Sequence, residues 1–83
     1  MTLKDLRPGN KGTVVQIQGQ GAGKRRLVDM GVTPGVEILV RKVAPLGDPI
    51  EIFLRGYELS LRKEDARKIV IEPASRSKGK GNI

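Results

Sequence analysis

Along most of this chain apolar and polar positions alternate two by two, and the pattern predicts short β-strands with one helical interruption. Thr13-Val14-Val15-Gln16-Ile17-Gln18 alternates in the sense that sets Thr13, Val15 and Ile17 on one face. Val36 to Val43 is a longer β-branched run with a similar beat. Ile50 to Arg55 and Tyr57 to Arg62 follow, separated by Gly56; Ile50, Ile52 and Leu54 share one face, as do Leu59 and Leu61. Ile69-Val70-Ile71 reads as a short closing strand ended by Pro73. Strands this short and closely spaced, punctuated by Gly and Pro, predict a mainly β fold: a small barrel of about five strands. Closure, full or partial, protects the edges of such a sheet.

The interruption lies between the first two strands. After Gly19-Gln20-Gly21-Ala22-Gly23, the segment 24–30 is expected to form a short inserted helix. Leu27 and Met30, three apart, share its buried side, and Gly31 is its left-handed stop. Thr33-Pro34-Gly35 is a turn in which Pro presets φ and Gly accepts a positive φ. Lys63 to Lys68 is read as one further helical turn with Ala66 facing inward.

The 83 residues suffice for one small domain, expected over 1–73, with a flexible basic tail over 74–83. That tail is rich in Ser, Gly and Lys and has too little apolar surface to offset the entropy of ordering. It contributes Arg76, Lys78 and Lys80 to a net charge of +7. Elsewhere Lys and Arg are interleaved with Asp and Glu, the pattern of a solvated surface rather than a nucleic-acid stripe. The first residues carry no apolar run of a secretory signal, and nothing approaches the roughly 18 apolar residues of a membrane span. A cytoplasmic protein is expected, in contact with a membrane only through a partner.

Composition also removes most chemistry. The chain has neither histidine nor cysteine. The commonest general base, the commonest metal ligand and every thiolate site are therefore missing. Ser60-Leu61-Arg62-Lys63 matches the short Ser-x-x-Lys pattern, but without the companion motifs of that enzyme class. The glycine cluster fits no phosphate loop: Gly23-Lys24 is followed by Arg25, and Gln18 stands where the first glycine belongs. No catalytic residue and no cofactor is expected. Carboxylates alone make a poor site for a transition ion, which leaves at most weak association with Fe2+ or a similar metal. Phe53 and Tyr57 are the only aromatic residues, a thin platform for stacking bases.

Two segments exceed what a scaffold needs. Lys24, Arg25 and Arg26 crowd the helix start, where the helix dipole disfavours cations. Ala44-Pro45-Leu46-Gly47-Asp48-Pro49 is a stiff loop with Leu46 near its tip, either a docking knob or a lid folded over the barrel mouth. Arg25, Arg26, Leu27, Pro45 and Leu46 are therefore the candidate partner-binding residues. Of these, Arg26 and Leu46 are the cleaner candidates for contact, and Leu27 has a structural alternative.

The strings RRLVDMGVTPG (25–35), APLGDPIEI (44–52) and RGYELSLRKEDA (55–66) closely resemble the FeoA family, in the family's order and spacing. The resemblance runs to about Glu72 and leaves the basic tail out. It implies an SH3-like barrel with a short inserted helix. It also implies a partner, the FeoB permease with its cytoplasmic GTP-binding domain, and a role in ferrous iron uptake that modulates the activity or assembly of FeoB. A monomer is expected. Two other readings compete: a nucleic-acid-binding SH3-like barrel, and a weak metal-binding module related to the C-terminal domains of metal-dependent repressors.

Overall fold

The structure is a computed structural model that describes residues 1–73; the expected basic tail lies outside the described residues. Five strands, β1 (Lys11–Ile17), β2 (Glu37–Val43), β3 (Ile50–Leu54), β4 (Tyr57–Leu61) and β5 (Ile69–Pro73), form one antiparallel sheet in the order β4-β3-β2-β1-β5. Helix α1 (Ala22–Asp29) is inserted between β1 and β2, and the single turn α2 (Lys63–Ala66) joins β4 to β5. The mainly β class follows the sequence pattern. The inserted helix begins two residues before the expected 24–30 and ends at Asp29, with Met30 as its C-cap. Gly21, at φ +81°, turns the chain and lets Ala22 and Gly23 enter the first turn.

The expected sharing of one face by Thr13, Val15 and Ile17 on β1 is corrected. Gly12, Val14 and Ile17 are buried, whereas Val15 and Gln16 are exposed. The register against β5 shifts between Val14 and Gln16, where a bulge inserts one residue and resets the alternation. β2 uses the same device. Ile38 and Val40 face in, Arg41 and Lys42 both face out, and the register against β3 shifts between Val40 and Lys42. The two bulges bend their strands and curl the sheet around a core that includes Leu3, Val14, Leu27, Ile38, Ile52 and Ile69. β1 and β5 approach closely at Gly12, where a Cβ would stand 2.7 Å from Ile71 Cδ1.

The third and fourth strands obey simple alternation. Ile50, Ile52 and Leu54 are buried, Leu61 is buried, and Leu59 is half-buried because β4 lies at the sheet edge. The Thr33-Pro34-Gly35 turn forms as expected: the Val36 N–H donates to the Thr33 carbonyl at 3.1 Å, with Gly35 at φ +94°.

Candidate functional site

α1 shows one residue to the core. Leu27 is fully buried, while Lys24, Arg25 and Arg26 lie on the exposed side. Its C-terminus is built as a Schellman motif. The Gly31 N–H donates to the Val28 carbonyl at 3.0 Å, and the Val32 N–H donates to the Leu27 carbonyl at 3.0 Å. Gly31 is left-handed at φ +97°, and Val32 joins Leu27 in the core as the apolar contact of that motif.

The tip of the β3–β4 hairpin then clamps this helix end. Arg55 Nε donates to the Gly31 carbonyl at 3.2 Å, Arg55 Nη2 donates to Thr33 Oγ1 at 3.1 Å, and the Tyr57 hydroxyl donates to the Met30 carbonyl. Arg55 is itself left-handed at φ +48°, followed by Gly56 at +88°, the pair of positive angles that a type I′ hairpin turn requires.

Arg26 is held from the opposite side. Its Nη2 lies 3.2 and 3.1 Å from the two carboxylate oxygens of Asp65, on α2. The Asp65 side chain is 8% exposed and that of Arg26 is 56% exposed. Asp65 also accepts from the Arg62 N–H at 3.3 Å, at the start of α2. The next amide, Lys63 N–H, donates to Asp48 Oδ1 at 3.0 Å. Asp48 belongs to the 44–49 loop, so α2 holds the helix and the loop to one short element.

Within that loop the Gly47 N–H donates to the Ala44 carbonyl at 2.7 Å and the Ala44 N–H to the Pro49 carbonyl at 3.1 Å. Pro45 and Leu46 form the tip of the resulting turn, Gly47 takes φ +85°, and the Asp48–Pro49 peptide is cis. Leu46 is 87% exposed, the most exposed large apolar side chain described. The lid reading of this loop is corrected: Leu46 projects from the surface and is not folded over the barrel mouth.

The five candidate residues therefore separate. Pro45, Leu46 and Arg25 stand on the surface; Arg26 is exposed but spends its head group on Asp65. Leu27 is corrected: with no exposed surface it is a core residue and has nothing to offer a partner. Sequence reasoning missed the residues that position this surface, Asp48, Asp65, Arg55 and Tyr57. Only the Arg55-Gly56 pair carried a local signal, that of a two-residue hairpin turn.

Among the described residues no three His, Cys, Asp or Glu side chains converge. Nor is any described helix long and apolar enough to cross a membrane. A shallow depression of about 360 Å³ lies over the outer side of β2 and β3, lined by Lys11, Val36, Glu37, Leu39, Phe53 and Arg55 among others.

A small antiparallel barrel with its exposed features on an inserted helix and a connecting loop defines a module of the SH3-like class. The chain belongs to the FeoA domain family, whose model matches residues 1–73. It is 39% identical over 72 residues to the Fe(2+) transport protein A/Fe(2+) transporter FeoB fusion protein of Porphyromonas gingivalis. That match covers 87% of this chain but only 8% of the relative's length. The solution structure of a FeoA-like protein from Clostridium acetobutylicum superposes with a TM-score of 0.82 at 40% identity, covering 88% of this chain and 85% of that one. The zinc complex of Stenotrophomonas maltophilia FeoA, described as a procaryotic SH3 domain protein, superposes with a TM-score of 0.77 at 26% identity. The coverage there is 87% of this chain and 89% of the other.

Proposed function

We propose that this protein is a non-catalytic accessory of ferrous iron uptake that works in the cytoplasm by docking onto FeoB and modulating its activity or assembly. The observation that carries this reading is the fusion relative, in which a domain 39% identical to this chain shares one polypeptide with FeoB. Fusion holds two modules at high effective concentration, an arrangement that is useful when they act on each other. The contact surface is the exposed tip of the 44–49 loop, Pro45 and Leu46, together with Arg25 on α1. Leu46 supplies an apolar knob on a backbone already fixed by its turn, so little entropy is lost when it is covered. Arg25 supplies charge for an acidic counterpart on the partner. Ferrous ion is the cargo of the partner in this reading.

The test is binding of the 83-residue chain to full-length FeoB in nanodiscs, followed by titration. Leu46→Asp and Arg25→Glu are both expected to weaken binding at least tenfold while the thermal unfolding midpoint stays where it was. Wild-type affinity in the well-folded double variant would remove this surface. No binding by the wild-type chain would remove the docking reading itself.

A further inference from the structure

Among the described residues, β4 leaves one sheet edge open. The outer edge of β5 is covered by the start of the chain, where Thr2 bridges to Val70 and the Ile71 N–H donates to the Met1 carbonyl at 3.0 Å. Among the described residues β4 pairs with β3 alone. Its hairpin turn closes on the Leu54–Tyr57 pair, so Tyr57, Leu59 and Leu61 exchange hydrogen bonds with β3. The N–H and C=O groups of Glu58 and Ser60 therefore face away from the sheet. Among the described residues, neither of those two has a backbone partner elsewhere. A shallow depression of about 240 Å³ runs beside them, lined by Glu51, Glu58, Leu59 and Ser60. Edges of this kind are commonly blocked by Pro, Lys or a bulge, and Tyr57-Glu58-Leu59-Ser60-Leu61 contains none of these.

We propose that this edge pairs antiparallel with β4 of a second copy of the chain, about a twofold axis at Leu59. The strand is its own complement. In this register Glu58 lies opposite the partner's Ser60 and Ser60 opposite the partner's Glu58, so every outward backbone group on both edges is bonded. Leu59, half-buried in one copy, meets the partner's Leu59. Tyr57, 41% exposed, lies opposite the partner's Leu61 in register, while the Leu61 side chain stays in its own core. Each carboxylate stands opposite a hydroxyl, and no like charges face each other.

Centring the pair on Ser60 instead would oppose Glu58 to the partner's Arg62. The Arg62 N–H is already directed at Asp65, and its carbonyl already accepts from the Asp65 and Ala66 amides, so backbone bonds would be lost. A strand made from residues 74–83 is the poorer occupant. It would set either Ser75, Ser77 and Gly79 or the cations Arg76, Lys78 and Lys80 against Tyr57 and Leu59. Neither set covers apolar surface.

One short strand pair is a small interface, so dissociation is expected on the order of 100 µM or above. Each copy carries a formal charge of +7, so mutual repulsion opposes association and added salt strengthens it. A basic segment docked against Glu51 and Glu58 shows the reverse salt dependence.

The experiment is analytical ultracentrifugation of the full chain from roughly 10 µM to 1 mM at low and high salt, with Ser60→Pro alongside. The Ser60 N–H faces outward, so proline there removes an intercopy donor and no bond to β3. Concentration-dependent dimerisation, favoured by salt and weakened at least tenfold by Ser60→Pro, is the expected result. Amide exchange of the wild type is read in parallel. Glu58 and Ser60 amides are expected to gain protection as concentration rises, and this series decides alone if the proline variant fails to fold. A chain monomeric up to the highest concentration, or a dimer indifferent to Ser60→Pro, overturns the proposal. So does protection of those two amides in dilute monomer that disappears when residues 74–83 are removed, since the tail would then occupy the edge.

Discussion

Arg26 and Asp65 contribute unequally to their shared ion pair, and the inequality can be measured. Arg26→Ala leaves a carboxylate that is 8% exposed with, among the described residues, only the Arg62 N–H at 3.3 Å as a remaining partner. Stranding one member of a fully buried pair costs about 3–5 kcal/mol. Solvent reaches this pair through Arg26, 56% exposed, which moves the cost toward the roughly 0–1 kcal/mol of a surface pair. An intermediate loss of about 2 kcal/mol is expected for Arg26→Ala. Asp65→Ala removes the buried charge itself and leaves an arginine that water can solvate, so its loss is only about 1 kcal/mol. The double variant is expected to match Asp65→Ala.

For a domain of this size each kcal/mol lowers the melting temperature by about 4–8 °C. Arg26→Ala should therefore melt visibly below Asp65→Ala. Urea unfolding of all four proteins supplies the cycle, read from midpoints at unchanged slope. If Asp65→Ala were the more damaging single change, or if the two losses simply added, the account of a buried acid neutralised by a half-exposed base would be wrong. The result also bears on docking. A binding defect in Arg26 variants mixes stability with contact, which is why Arg25 and Leu46 carry the binding test.

Two further stability predictions probe the frame around that surface. Gly31→Ala imposes a side chain at φ +97° and sets its Cβ 3.3 Å from both Arg55 Cδ and the Tyr57 hydroxyl oxygen; a loss of about 1–2 kcal/mol is expected by urea titration. Val14→Ala is expected to cost about 2 kcal/mol and Val15→Ala within about 0.5 kcal/mol, since Val14 is 2% and Val15 45% exposed. Equal losses at the two valines would contradict the bulge in β1.

The sequence by itself determined the mainly β class, the strands from Ile50 to Leu61, the Thr33–Gly35 turn, the inward Ala66 and the family. Each rests on local chemistry: a period of two, a Pro-Gly pair, three motifs in fixed order. It likewise made Pro45 and Leu46 candidates, because a proline-stiffened loop with an apolar tip is visible in one dimension. Tertiary structure decided the rest. Whether Val14 or Val15 faces the core depends on a bulge that exists only where β1 meets β5. Whether Leu46 is a knob or a lid depends on bonds that close the loop and hold it to α2. Arg26 looks like Arg25 in the sequence, and only the fold brings Asp65, 39 positions away, against one of them. Leu27 sits in the most basic stretch of the helix and is nonetheless core, since a helix of eight residues with one side to bury turns that side inward whatever its neighbours carry. Periodicity reports which side of an element is apolar; what that side meets is settled by contacts between residues far apart in the chain.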